Sequence, residues 1–216
     1  MRKLAIVIIF SCLGMAAFAQ KEHRFEKEIA AYEQQDRQHA PLKGGIVFTG
    51  SSSIRMWKDL NDRFEGYNII PRGFGGSQLS DVIYFADRIL IPYRPSKIFL
   101  YAGDNDLAAG QTPDEVYQEF LQFYALITSK LPETKVYYIA AKPSIRRQKL
   151  MTDYIEFNDK VAKFIEGHPC NWEFVDVFSA MLNKKGEPMD DIFLEDNLHM
   201  NSKGYDIWEK LIAEYL

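Results

Sequence analysis

The sequence predicts an α/β domain in which a parallel sheet is covered by helices on both faces, and three observations carry that expectation. Five short runs rich in branched and aromatic residues, at 45–49, 67–70, 97–102, 135–140 and 172–178, have the composition of buried strands. Between them lie longer stretches whose apolar residues recur at helical spacing, and strand alternating with helix is the pattern of parallel strands joined by crossovers. No internal repeat, low-complexity tract or interdomain linker interrupts the alternation, so one domain is expected.

The elements follow in order. The 216-residue chain opens on Arg2 and Lys3, continues through an apolar stretch and reaches Ala17-Phe18-Ala19, a small-x-small pattern suited to signal peptidase. This predicts a signal peptide over residues 1–19, a single domain over 20–216, and export to the periplasm or beyond the cell. The apolar stretch is short for an uncleaved anchor, and Ile9-Phe10-Ser11 is a poor approach to a lipidated Cys12. A first helix is expected over 25–36, where Phe25, Ile29 and Tyr32 share one face among charges. The first three apolar runs follow. Helices are then expected at 114–131 and 153–168 on either side of the fourth run, and a last one over 202–216 after the fifth.

Charge and cysteine content narrow the function. The formal charge of −4 becomes more negative once the leader, with two basic and no acidic residues, is gone. No basic tract exists, so neither nucleic acid nor stable membrane insertion is expected. Cys170 would be the only cysteine of the processed chain and has no disulfide partner within it.

In a parallel sheet, ligands bind at the carboxyl ends of the strands. The residues that leave the apolar runs are therefore the ones to read for chemistry: "GSSS" after the first, "RGFGGSQ" after the second, "GDNDLAAG" after the third and "EDNLHMN" well after the fifth. Serine-based ester hydrolysis needs a nucleophile, a histidine base, a carboxylate to orient it and donors for the oxyanion. Each is offered by a different loop. Of four histidines, only His199 sits in a polar loop with an aspartate, Asp196, three residues before it.

The blocks "GSSSI", "GFGGSQ", "GDND" and "DNLH", in this order, resemble the signature blocks of the SGNH hydrolases, also called the GDSL lipase and esterase family. The resemblance implies a flavodoxin-like three-layer α/β/α sandwich with a five-stranded parallel sheet. It implies a serine esterase acting through an acyl-enzyme, with Ser52 as nucleophile, His199 as base and Asp196 as its orienting carboxylate. The oxyanion donors it implies are the Ser52 and Gly76 backbone N–H groups and the Asn105 side chain, with Gly75 the neighbouring alternative to Gly76. Ser51 stands where the family name has aspartate, which should alter the support of the nucleophile turn more than the reaction.

The expected substrate is a small-molecule or glycan ester, with short acyl groups such as acetyl on carbohydrate favoured. Alternatives are an acyltransferase using the same residues, a lysophospholipase-like lipid esterase, and a non-catalytic glycan-binding domain on the same fold. No cofactor and no metal is expected, since Asp104 and Asp106 are two carboxylates without a ligand ladder. Other residues have plainer readings. A serine cluster commonly caps the next helix, Arg146 and Arg147 read as a solvated loop near the rim, Trp172 and Trp208 read as core, and Trp57 is open between core and sugar platform.

Overall fold

The computed structural model describes residues 22–168 and 171–216; the expected leader and Cys170 lie outside the described residues. The chain runs α1 (Glu26–Gln38), β1 (Ile46–Gly50), α2 (Ser52–Arg55), α3 (Leu60–Arg63), β2 (Ile69–Gly73), α4 (Leu79–Ile89) and β3 (Lys97–Tyr101). It continues with α5 (Asp104–Ala108), α6 (Pro113–Lys130), β4 (Lys135–Ile139), α7 (Met151–Gly167), β5 (Trp172–Val175), α8 (Val177–Ala180) and α9 (Ser202–Ile212). The five strands form one parallel sheet in the order β2-β1-β3-β4-β5. The predicted fold class is the observed one.

Alternation of side chains along the strands divides the core. Phe48, Phe99 and Tyr137 lie side by side across β1, β3 and β4, with ring centroids 4.7 and 4.6 Å apart. Trp57 and Phe64, around α2 and α3, pack on Phe48 from that face. The next residue of β4, Tyr138, points to the opposite face, against Phe120 of α6 and Phe157 of α7. There α1 packs on α4, α4 on α6 and α6 on α7. Helices therefore cover both faces, which is why the strands read as continuous apolar runs.

The structure moves some expected boundaries. The second run was expected to stop before Pro71, yet β2 extends through it to Gly73. β2 is an edge strand, where a residue lacking an N–H is tolerated. The fifth run was expected to reach residue 178, but β5 ends at Val175, because the Asp176 carboxylate accepts the Ser179 N–H and starts α8. "GDNDLAAG", read as a loop, contains the short helix α5.

Strand order also locates the site. From β1 the chain steps outward to β2, then returns past β1 to β3, so the connections leaving β1 and β3 diverge and open a crevice at their carboxyl ends. Gly50, Gly73 and Tyr101 are in register at that level.

Candidate active site

The first part of the site is made by backbone. Gly50 ends β1 with φ +114°, and a Cβ there would lie 1.9 Å from the Tyr101 carbonyl oxygen, so only glycine fits. The Ser51 N–H donates to that carbonyl at 2.9 Å, and the Phe74 N–H donates to the Gly50 carbonyl at 2.9 Å. The turn after β1 is thus pinned between the end of β3 and the loop that follows β2.

The serine triplet is sorted by burial. Ser51 is fully buried, extended, and makes no side-chain cap bond; its Oγ has no hydrogen-bond partner among the described residues. The capping reading therefore fails for Ser51, and its backbone carbonyl, accepting from Ile54 and Arg55, supports the turn instead. Ser53 is also buried, with its carbonyl accepting from the Tyr205 hydroxyl at 2.9 Å. Ser52 alone is half-buried, with its Oγ 2.9 Å from His199 Nε2.

The histidine is held from its other side. His199 Nδ1 lies 2.5 Å from Asp196 Oδ2, while Asp196 Oδ1 accepts the N–H groups of Leu198 and His199 at 3.0 and 2.9 Å. Burial alone would raise the Asp196 pKa, but the bonds from His199 and Leu198 outweigh it and bring it down to about 2. Asn197 takes a left-handed conformation, φ +57°, and the Leu194 N–H donates to the His199 carbonyl, closing the loop on itself. Asn201 then bonds the Asp191 and Phe193 carbonyls and caps α9, so the histidine loop rests on a helix start.

The other predicted residues stand on the same rim. Gly76 is exposed at φ +81°, with no atom within 4 Å of a Cβ position, whereas a Cβ on Gly75 would meet Arg55 Nε at 2.6 Å. Gly76 is therefore the open glycine of the pair. Asn105 Nδ2 donates to the Ser77 carbonyl at 3.0 Å, which joins the start of α5 to the residue next to Gly76. Among the described residues, the backbone N–H groups of Ser52 and Gly76 donate to no backbone acceptor.

Several residues have other places. Trp57 is buried and stacks on Tyr205 with centroids 4.9 Å apart, so it is core and no platform; Trp172 and Trp208 are core as expected. Asp106 accepts the Leu79 and Gly103 N–H groups, and burial pushes its pKa up to about 7 against the bond from Leu79. Asp104 is ion-paired with Arg147 at 2.9 Å, so the two acids serve different partners. Among the described residues, no group of three or more His, Cys, Asp and Glu side chains is placed to hold a metal ion. The solvated-loop reading holds for exposed Arg146 and fails for Arg147, which also donates to Asn105 Oδ1 at 2.9 Å. Sequence reasoning also missed Lys142, fully buried with Nζ 2.6 Å from the Leu198 carbonyl. Burial brings its pKa down to about 8, with Asp104 opposing. A lysine and an arginine in the segment that follows the fourth apolar run, in a chain with acids in the loops after the third and fifth runs, were the available signal.

The profile of the GDSL-like lipase/acylhydrolase family matches residues 47–207, three quarters of the chain and every residue discussed above from Phe48 to Tyr205. The chain belongs to that family. As a GDSL-like acylhydrolase, it is a hydrolase of ester bonds. Solved structures agree on the GDSL fold. A protein assigned as an acylhydrolase from Bacteroides fragilis superposes with a TM-score of 0.75 at 21% identity, covering 86% of this chain and 94% of its own. A GDSL-like lipase from Bacteroides thetaiotaomicron gives 0.72 at 20% identity, covering 87% and 97%. A search of curated proteins found no match.

Proposed function

We propose that the protein is a serine esterase that cleaves carboxylic esters through an acyl-enzyme at Ser52. The observation that carries this reading is the chain of contacts Asp196 to His199 to Ser52, on the open rim of the sheet. His199 Nε2 takes the Ser52 proton as Oγ attacks the ester carbonyl, and returns it to the leaving alcohol. Water, deprotonated by the same nitrogen, then attacks the acyl carbon, and that proton passes to Ser52 Oγ as the bond to the acyl group breaks and the acid leaves. Asp196, with its low pKa, stays ionised, holds the imidazole with Nε2 toward Ser52, and stabilises the imidazolium. The N–H groups of Ser52 and Gly76, and the Asn105 amide, receive the oxyanion as charge develops on it.

For the substrate, we favour short acyl groups on a carbohydrate alcohol, met outside the cytoplasm after export. Support comes from the polar residues around the site: Asn197, Glu195 and Arg146 are exposed, and Gln78 is partly so. Such side chains suit hydroxyl-rich alcohols better than long acyl chains.

The test is fluorophosphonate labelling with peptide mapping, beside hydrolysis of nitrophenyl esters of increasing chain length and of acetylated oligosaccharides. Label is expected on Ser52 alone, with acetyl esters turned over fastest. Ser52→Ala should remove both label and hydrolysis, lowering kcat by several orders of magnitude. Label on Ser51 or Ser53, or full activity in Ser52→Ala, refutes the assignment of the nucleophile.

A further inference from the structure

The segment that follows β4 reaches both halves of the site. On one side, Lys142 Nζ donates to the Leu198 carbonyl and the Arg146 N–H to the Asn197 carbonyl at 3.0 Å, both within the loop that carries His199. On the other, Arg147 Nη1 donates to the Asp104 carbonyl at 3.1 Å and to Asp104 Oδ2 at 2.9 Å, while Nη2 donates to Asn105 Oδ1. The Arg147 side chain is only 18% exposed and that of Asp104 6%, so the pair is shielded from solvent.

We propose that Arg147 is a positioning residue for the oxyanion site, acting through Asn105. The inference rests on the esterase reading above. A guanidinium has donors only and a carbonyl is an acceptor only. Between Arg147 and the Ser77 carbonyl, the Asn105 amide therefore has one satisfactory orientation, with Oδ1 toward Arg147 and Nδ2 toward Ser77. The second Nδ2 hydrogen is left for the rim. A flipped amide would set NH₂ against the guanidinium and oxygen against oxygen, and would turn an acceptor toward the developing negative charge. Asp104 fixes the guanidinium itself with two bonds to Nη1. Lysine cannot copy this arrangement, because one ammonium has to replace two nitrogens that serve separate partners.

The experiment is a double-mutant cycle on the full chain with p-nitrophenyl acetate, using Arg147→Met, Asn105→Ala and the pair, with thermal melting to check folding. Removing one oxyanion donor lowers kcat by about 10²- to 10³-fold. Arg147→Met should lower kcat by about 10- to 100-fold with KM within about twofold, since the bond acts where charge develops. In the Asn105→Ala background it should change kcat by less than about threefold, because its effect runs through that amide. Arg147→Lys keeps a charge beside Asp104, so it replaces Arg147→Met in the cycle if the latter fails to fold, and should also lose kcat. A kcat within about threefold of wild type in the variant used, or losses that multiply with Asn105→Ala, overturns the inference. A wild-type chain that neither hydrolyses the ester nor takes label at Ser52 overturns the esterase reading first, and this one with it.

Discussion

At the scale of single residues, three adjacent serines differ in function because the turn exposes them differently. Ser51 and Ser53 are drawn into the core and contribute backbone groups, while Ser52 meets His199. The motifs named Ser52, but burial and the missing Ser51 cap bond depend on β2, β3 and α9, which no local reading contains. Asp196 offers a sharp test. Its Oδ1 bonds two backbone N–H groups, which asparagine can keep, whereas an amide nitrogen facing His199 Nδ1 would force the proton onto Nε2. Asp196→Asn should therefore lower kcat by up to about 10⁴-fold while the loop stays folded. The pH dependence has a definite sign. The carboxyl is depressed from 3.8 to about 2 in the folded chain, so its contribution to stability is complete above about pH 4 and is lost as pH falls toward 2. Urea unfolding of both proteins across that window should show the stability gap shrinking; a constant gap, or unchanged kcat, refutes the role.

At the scale of elements, helix and strand runs were legible because both faces of the sheet are covered, and what was missed lay where local pattern and tertiary setting disagree. The second run, bounded at 70, continues through Pro71 because β2 is an edge strand; Asp176 reads as strand but caps a helix. Arg147 looked like a loop charge, and its partners lie at the start of α5, after β3. The pairing of α3 with α9 was equally hidden, since 139 to 146 residues separate the contacts. There Arg63 donates to Asp59, Asp206 and Glu209 at 2.7, 2.7 and 2.5 Å, and to Ser202 Oγ at 2.9 Å. It joins α3, the second helix after β1, to α9, the helix that follows His199. The acids are 37–60% exposed, so each pair is weak and screened, while the arginine is 11% exposed and shared among all of them. Arg63→Met should cost about 1 kcal/mol and lower Tm by about 2–4 °C at low salt. The difference should narrow in 1 M salt. A loss that salt does not reduce points to packing of the arginine stem as the cause.

At the scale of the whole molecule, the family match begins at residue 47, yet α1 lies before it and is fastened to the domain at a buried charge, Arg72. Phe25 and Ile29 are buried, and Arg88 bonds both Glu26 and Glu33. Arg72 of β2 has a side chain 6% exposed and is served by Asp36 of α1, by the Tyr93 hydroxyl at 2.7 Å and by the Pro71 carbonyl at 2.7 Å. Burial, with Asp36 adding to it, pushes the Tyr93 pKa up to about 12, so that hydroxyl stays neutral and, among the described residues, Asp36 is the carboxylate that pairs with Arg72. The Tyr32 hydroxyl donates to the Gly73 carbonyl, at the end of β2 from which the Gly76 loop departs. The first helix is thus part of the frame of the site. Asp36→Asn keeps the shape but leaves the buried guanidinium without its counter-charge. Breaking a fully buried pair costs about 3–5 kcal/mol; with Asp36 21% exposed, about 2–3 kcal/mol is expected here. Because α1 is tied to the sheet, urea unfolding should remain a single transition at a lower midpoint, coincident by tyrosine fluorescence and circular dichroism. An independent early transition with the main midpoint unchanged would make α1 an appendage and remove it from the frame.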